Sequence, residues 1–367
     1  MKHILIITVL MGMLVSYAYA TSSPVVNITN VTQRTELSRK VDIYYNISHT
    51  MPVTVALQVS SDNGVTWNLP CTLVTGDIGA NISPGNGKHI VWDVLAEHPD
   101  VIYENVRFKV IADDGQSPPP PANFVFVQGG TFHNGTSNVT LSSFYIDKYE
   151  VTQASYQAVM GVNPSYFPGN PNRPVECVSW FNAIEYCNRR SMQEGLTPCY
   201  SYSTYGTNPS NWPAGWNTTS ANHTNVSCNW SANGYRLPTE MEWMYAAKGG
   251  NQSQGYTYSG SNTIGNVAWY SSNSGSRTHD VGELASNELG TYDMSGNVWE
   301  WVWDIYGNYP SGNQTDPTGP TSGSYRVLRG GSWSADANFC AVSYRSGSGA
   351  ASANDYVIGF RVIRVSP

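Results

Sequence analysis

The fold of the larger part of this chain is decided by one stretch, Leu289-Gly290-Thr291-Tyr292-Asp293-Met294-Ser295-Gly296-Asn297-Val298-Trp299-Glu300-Trp301-Val302-Trp303-Asp304. It places three tryptophans and three carboxylates within sixteen residues. Gly296 lies between Asp293 and Glu300 and allows the chain to bend, so that both carboxylates and some backbone carbonyls face one point. Such an all-oxygen environment is what calcium prefers. The stretch therefore predicts a calcium-binding loop.

The three tryptophans of this stretch alternate with other residues. Trp299, Trp301 and Trp303 are spaced at period two, which predicts a strand with one face that buries three indoles. The alternative interpretation of the whole stretch is a tryptophan-rich core strand whose acidic side chains are solvated. The residues alone leave both interpretations open.

Further motifs extend the pattern. Together with the opening stretch they resemble the formylglycine-generating enzyme (sulfatase-modifying factor) family, and they follow the family's order across residues 124–365. The matching segments are Tyr149–Thr152, Pro174–Trp180, Tyr235–Trp243, Arg326–Trp333 and Gly359–Val362. The resemblance implies an α+β, C-type-lectin-like fold for residues 124–367.

The same resemblance implies metal ligands. Its calcium site would use the side chains of Asp293 and Glu300 and the carbonyls of Gly296 and Val298. A second, weaker calcium site would lie near Asn266 and Val267. Calcium is the structural cofactor that the resemblance implies.

The copper centre of the family is incomplete in this chain. Oxidases of the family bind copper(I) between two cysteines, because soft thiolates suit that ion. The second position matches as Cys340, but the first is Ala335, which cannot bind a metal. The resemblance therefore implies no copper and no formylglycine generation. The alternative is a copper-dependent oxidase that pairs Cys340 with another cysteine close in space, such as Cys177.

Length and composition limit the remaining classes. The 367 residues suffice for two domains, and a net charge of −7 with 12% charged residues argues against an extended nucleic-acid surface. Residues 1–20 resemble a secretory signal peptide that ends in Ala18-Tyr19-Ala20. After its removal we expect no membrane span and a secreted or cell-surface protein.

The remaining chain divides into four parts. Residues 21–37 are either an N-terminal arm or a first strand, and residues 38–115 alternate as expected for an immunoglobulin-like β-sandwich with Trp67 and Trp92 in its core. Residues 116–123 form a proline-rich linker. Residues 124–367 form the second domain.

Three helices are predicted in the second domain from their start signals. The first begins after Thr152 and ends near Met160, and the second begins after Ser179. The third begins after Thr239, which forms a capping box with Glu242, and ends at Gly249-Gly250.

Export makes disulfides and glycosylation relevant. Of the six cysteines, the pair Cys199–Cys228 brackets a polar insert and is the expected disulfide. The exported part contains twelve Asn-x-Ser/Thr sequons, which mark candidate glycosylation sites. They are Asn27, Asn30, Asn46, Asn81, Asn134, Asn138, Asn217, Asn222, Asn225, Asn229, Asn251 and Asn313.

These features favour a secreted, non-catalytic structural or binding protein. One version is a glycosylated subunit of an extracellular filament that self-associates when the N-terminal arm adds a strand to a neighbour. A second version is a glycan-binding adhesin, because exposed tryptophan and tyrosine side chains stack on sugars. The oxidase is the third hypothesis.

Overall fold

The computed structural model describes residues 24–35, 38–64, 67, 69–99, 101–113 and 121–365. The chain forms two compact units, Met1–Pro121 and Ala122–Pro367. The expected signal peptide and most of the expected linker lie outside the described residues. Among the described residues, no helix has the length and hydrophobicity needed to cross a bilayer.

The first unit is almost entirely β-structure. Its antiparallel sheets have the strand orders β1-β2-β6-β4 and β5-β3-β7. The elements are β1 (Val25–Gln33), β2 (Val41–Ser48), β3 (Val53–Ser60), β4 (Val74–Gly76), β5 (Gly79–Ile82), β6 (Gly85–Trp92), the one-turn helix α1 (Val94–Glu97) and β7 (Arg107–Asp113).

Alternating apolar residues from both sheets of the first unit share one hydrophobic core. Ile43 of β2, Val55 of β3 and Trp92 of β6 are buried in it. The all-β prediction is confirmed, and the immunoglobulin-like assignment stays a prediction. Trp67 was wrongly placed in the core: it is half-buried, and the ammonium group of Lys109 lies 5.8 Å from its ring centroid.

The segment predicted as an arm or a first strand is the first strand. Strand β1 pairs antiparallel with β2 of its own chain through eight residue pairs, from Val25 opposite Ser48 to Gln33 opposite Val41. The sandwich therefore begins before residue 38. Strand β1 is an edge strand, because β2 covers only one of its sides.

The second unit combines short strands with three helices, as predicted. Its strands are β8 (Phe124–Val127), β9 (Gly130–His133), β10 (Asn138–Leu141), β11 (Phe144–Asp147), β12 (Tyr200–Tyr202), β13 (Val226–Cys228), β14 (Trp299–Ile305), β15 (Gln314–Thr315), β16 (Arg326–Arg329), β17 (Arg345–Gly349), β18 (Ile358–Phe360) and β19 (Ile363–Val365). Its helices are α2 (Gln153–Met160), α3 (Trp180–Gln193) and α4 (Glu240–Ala247).

The helices begin where the sequence predicts. The side chains of Thr152, Ser179 and Thr239 each accept a hydrogen bond from a backbone N–H of the first turn. Thr239 and Glu242 form the predicted capping box. Helix α4 ends at Ala247 with Lys248 as its C-cap, and the next residue, Gly249, has a left-handed φ of 91°, so the helix stops at the predicted Gly249-Gly250.

Strand β14 lies inside the sheet β17-β16-β14-β18. Trp301 is fully buried, but Trp299 and Trp303 are only half-buried, so the prediction of three buried indoles holds for one of them. Both faces of this interior strand are covered, and the opposite face also buries Glu300 and Asp304. The interpretation in which these acids are solvated is therefore wrong.

Candidate functional site

The carboxylate of Glu300 is paired with a buried arginine. Arg361 donates from Nε to Oε2 of Glu300 at 2.7 Å and from Nη2 to Oε1 at 2.8 Å. The indole N–H of Trp243 donates to Oε2 at 2.9 Å. All three side chains are inaccessible to solvent. Both oxygens of the predicted calcium ligand Glu300 are thus already engaged.

The guanidinium of Arg361 also binds loop carbonyls. Its Nη2 donates to the carbonyl of Tyr292 at 2.8 Å, and its Nη1 donates to the carbonyls of Asp147 and Lys148 at 3.2 Å each. Arg361 therefore holds this irregular backbone in place by donating to several oxygen atoms. Carboxylate and carbonyl oxygens of this kind also bind metal cations.

Two further buried carboxyls lie next to this pair. Asp293 accepts a hydrogen bond from the backbone N–H of Gly282 at 2.7 Å, and burial raises its pKa to about 6. Glu150 accepts from the side-chain amide of Asn297 at 2.7 Å and from the N–H of Val298 at 3.1 Å. Burial and the charges of Asp293 and Glu300 raise the pKa of Glu150 well above its usual value.

The donor set fits calcium in part. The residues Gly296 and Val298 are buried, and their carbonyls receive no hydrogen bond from other described residues. These carbonyls and Asp293 suit a hard cation, which would also offset the surplus of negative charge there. Glu300 would have to share its oxygens with the ion, because Arg361 donates to both of them and Trp243 donates to Oε2. Calcium at this loop stays a prediction with Asp293, Gly296, Val298 and Glu300 as ligands.

The second predicted calcium site has no acidic cluster. Asn266 is exposed and its carbonyl accepts a hydrogen bond from the N–H of Ala285 at 3.1 Å, while Val267 is buried. Within the described part of the chain, no three histidine, cysteine, aspartate or glutamate side chains converge to hold a metal ion. The carbonyl of Asn266 thus serves the loop itself.

The cysteine that remains of the copper centre is buried. The Cys340 thiol is inaccessible, and burial raises its pKa to about 12. The carboxylate of Asp336 also raises the pKa of this thiol, whereas a hydrogen bond with the backbone of Ser332 lowers it. Cys177 lies in a different environment: burial and Glu176 raise its pKa to about 11. These surroundings favour neutral thiols, whereas metals bind thiolates.

The expected disulfide is not formed. All six cysteines are free thiols, including Cys199 and Cys228. Strands β12 and β13 pair Tyr200 with Cys228, and the N–H of Asn229 donates to the carbonyl of Cys199 at 2.7 Å. Backbone pairing therefore closes the polar insert without a covalent bond.

One of the predicted glycosylation sites is blocked. The side chain of Asn134 is buried, and its Oδ1 accepts hydrogen bonds from the N–H groups of Thr136 and Ser137 at 2.8 and 2.9 Å. The other eleven asparagines are exposed or half-buried. Their glycosylation stays a prediction.

An aromatic platform, which sequence reasoning did not single out, lies at the surface of the second unit. It consists of Tyr166, Phe167, Trp333 and Tyr356, with ring-centroid distances of 5.0 to 5.8 Å between neighbours. Tyr166 is 66% exposed and Tyr356 is 45% exposed. Trp333 lies two residues before Ala335, so the platform adjoins the position of the missing copper cysteine.

Backbone that carries three of the four rings is anchored to one dipeptide, Glu176-Cys177. The buried Glu176 carboxylate accepts from the N–H of Tyr166 at 2.8 Å and of Phe167 at 2.9 Å. The N–H of Cys177 donates to the carbonyl of Asp355 at 2.9 Å, directly before Tyr356. Cys177 has a φ of 60°, a strained value for a residue other than glycine. The rings thus rest on fixed backbone.

Residues 108–366 match the family model described as "Sulfatase-modifying factor enzyme 1-like domain". The chain belongs to this family. The expected resemblance is thereby confirmed, and so is the expected fold of the second unit. The formylglycine-generating enzyme of Bos taurus is 26% identical over 272 residues, which cover 62% of this chain and 70% of the enzyme.

Two further relatives are more similar in sequence. The "Chaperone protein LppX" of Paenibacillus barcinonensis is 44% identical over 244 residues, which cover 60% of this chain and 82% of that protein. The solved structure of "Treponema denticola variable protein 1" is 37% identical and has a TM-score of 0.58. It covers 66% of this chain and 95% of that one. The proteins similar to this chain thus include some that are not named as enzymes.

Proposed function

We propose that this chain is an exported, non-catalytic binding protein whose second unit binds glycans on the aromatic platform. The observation that carries the proposal is the platform itself, in which four rings form one cluster and the side chains of Tyr166 and Tyr356 are 66% and 45% exposed. Contiguous exposed aromatic surface marks an interaction site, and Tyr and Trp combine a large apolar face with a polar edge.

The surroundings of the platform favour a hydroxylated ligand. Asp355 directly precedes Tyr356 and Asp336 follows Trp333 by three residues, and both are exposed. Each carboxylate accepts one hydrogen bond within the chain, from the hydroxyl of Ser271 to Asp336 at 3.3 Å and from the N–H of Val357 to Asp355 at 3.2 Å, and can accept more from a ligand. Sugars present apolar C–H faces to aromatic rings and hydroxyl groups to such acceptors. The low charge of the chain is consistent with a neutral ligand.

The oxidase hypothesis has less support. Ala335 supplies no second thiolate, and Cys340 is buried with a raised pKa. We expect no stoichiometric copper(I) uptake and no oxygen consumption with thiol peptides. Copper uptake and oxygen consumption that both disappear in Cys340→Ser would support the oxidase and refute the non-catalytic part of the proposal.

A glycan array tests the binding proposal on the whole mature chain. We expect the wild type to bind a restricted set of glycans and Trp333→Ala to lose this binding. Tyr325→Ala is the matched control, because Tyr325 is 48% exposed but lies outside the platform. A wild type that binds no glycan would refute the proposal.

Self-assembly is a second candidate, favoured by the edge position of β1. Because β1 already pairs with β2, a neighbouring molecule would add a strand to the outer side of β1. Electron microscopy of native material tests this version. Ordered filaments would support it, and isolated monomers in every field would refute it.

A further inference from the structure

One histidine joins the polar insert between strands β12 and β13 to the sheet that contains β14. The insert ends in a short 3₁₀ helix, Ser220–Asn225, and His223 is its buried residue, with an exposed fraction of 2%. Arg326 of strand β16 donates from Nε to Nδ1 of His223 at 3.2 Å and from Nη2 to the carbonyl of His223 at 3.3 Å. The two residues are 103 positions apart, so this contact fixes the helix to a distant part of the chain.

The contact between Arg326 and His223 requires a neutral imidazole. An arginine N–H can only donate, so the ring nitrogen that accepts it carries no proton. The second proton of a histidinium would have to bind at Nδ1, directly opposite the guanidinium. It would remove the hydrogen bond and bring two like charges together in a buried place. Burial and the charge of Arg326 accordingly lower the pKa of His223, whereas the backbone of Gly323 raises it.

The charge of Arg326 is not neutralised by its surroundings in acid. The guanidinium lies 3.8 Å from the ring centroid of Trp180 and 4.9 Å from that of Trp303, and it donates to the carbonyl of Trp303. Burial lowers the pKa of Arg326 to about 9, and the ionisable groups that raise it are Asp304 and Tyr200. Both are uncharged in acid, because burial raises the pKa of Asp304 to about 8 and that of Tyr200 well above its usual value.

Few other polar contacts hold the helix Ser220–Asn225. The hydroxyl groups of Ser220 and Ser352 share a hydrogen bond at 2.7 Å, and the N–H of Ser352 donates to the same hydroxyl of Ser220 at 3.2 Å. The side-chain amide of Asn222 donates to the carbonyl of Trp216 at 2.9 Å, within the insert itself. The buried link to the sheet is therefore the one made by His223.

We propose that His223 is an acid-sensitive switch, in which protonation of the imidazole releases the helix Ser220–Asn225 from Arg326. The helix is held at neutral pH, and it loses stability as the pH falls below 6.5, the usual pKa of a histidine that is free to titrate. Release exposes the guanidinium of Arg326 and the indoles beside it. The inference is independent of the proposed glycan binding, because none of these residues belongs to the aromatic platform.

Hydrogen exchange of the mature chain, measured by mass spectrometry at pH 7 and pH 5 and corrected for intrinsic rates, tests the switch. A released histidine titrates near pH 6.5, so at pH 5 the released population rises by up to about thirtyfold. In the wild type we expect exchange in residues 220–225 to accelerate about tenfold. His223→Gln, whose uncharged amide carries both an acceptor and donors, should lose this acid response, and His133→Gln, at an exposed histidine, should keep it.

Helix α2 provides the internal reference, because its only ionisable side chain is that of Tyr156. Its exchange should be unchanged between the two pH values. Equal acceleration of α2 and of residues 220–225 would show general unfolding in acid and would overturn the switch. A wild type without acceleration, or a His223→Gln variant with the wild-type acid response, would overturn it as well. A His223→Gln variant that exchanges faster at both pH values, with no difference between them, still supports it.

Discussion

The interior around β14 and the aromatic platform use different side chains for different tasks. In the interior, Glu300 binds Arg361, and two further buried carboxylates, Glu242 and Glu240, bind Arg236 and Arg345 at 2.6–2.7 Å. On the platform, rings without charge face the solvent. Only 12% of the residues are charged. Several of these charged side chains form buried ion pairs that hold the irregular backbone, whereas the platform that we propose as the ligand-binding surface consists of uncharged rings.

Removal of the interior cation should have the largest effect. Arg361→Met leaves Glu300 buried without its partner and also removes the donors to three loop carbonyls. We expect a loss of about 3–5 kcal/mol in the free energy of unfolding, measured by urea denaturation. Arg364→Met, at a half-buried arginine near the same chain end, should lose much less. Equal losses of unfolding free energy in the two variants would show that the buried ion pair contributes no more to stability than the half-buried Arg364.

Calcium should have the next effect. If Asp293, Gly296, Val298 and Glu300 hold the ion, calcium at a 100-fold excess over its dissociation constant should stabilise the calcium-free protein by about 2–3 kcal/mol. Asp293→Asn should remove this gain, whereas Asn266→Ala should keep it. Thermal unfolding with and without a chelator measures both. A wild type that is unaffected by chelation would contradict the calcium prediction.

Asp304 should make stability depend on pH. Burial and the charge of Glu240 raise its pKa to about 8, so the folded protein holds a proton that the unfolded chain releases near pH 4. The folded state is therefore destabilised progressively as the pH rises from about 4 to 8, by at most about 1.4 kcal/mol per pH unit for this one proton.

The variant Asp304→Asn should remove this part of the pH dependence. Its amide oxygen can still accept the N–H of Glu240, which Asp304 accepts at 2.7 Å. Relative to the wild type, the variant should gain stability between pH 5 and pH 8 in urea denaturation. Asp336→Asn, at an exposed carboxylate, provides the control. Parallel pH profiles of Asp304→Asn and the wild type would refute the assignment.

The smallest expected effect links the buried carboxylate of Glu176 to the platform. Glu176→Gln replaces one acceptor by a donor opposite the N–H groups of Tyr166 and Phe167. We expect about tenfold weaker glycan binding with a loss of stability near 1 kcal/mol. Glu176→Asp should recover part of the affinity. Unchanged binding in Glu176→Gln would mean that the rings do not need this support.

The structural features that could be predicted from the sequence are those determined by residues close together in the chain. Thr239 and Glu242 are three positions apart, so the capping box of α4 was readable. Arg361 and Glu300 are 61 positions apart, and the sequence offered no signal that Glu300 would meet an arginine. Glu300 was consequently assigned to calcium alone.

The platform was missed for a similar reason. Its rings come from three separate segments, at 166–167, 333 and 356, and a sequence shows that aromatic residues are abundant without showing which ones are exposed together. Trp301 and Trp333 look alike in sequence, yet Trp301 is fully buried and Trp333 is half-buried at the surface. The difference in exposure depends on which other segments of the fold pack against each tryptophan.

The central claim is that the exposed platform rings bind the ligand. The most direct measurement is a paired titration of the wild type and Trp333→Ala with the strongest ligand from the glycan array, with thermal stability measured in parallel. We predict at least about tenfold weaker binding by the variant with a melting temperature within a few degrees of the wild type. Equal affinities for the two proteins would contradict the claim.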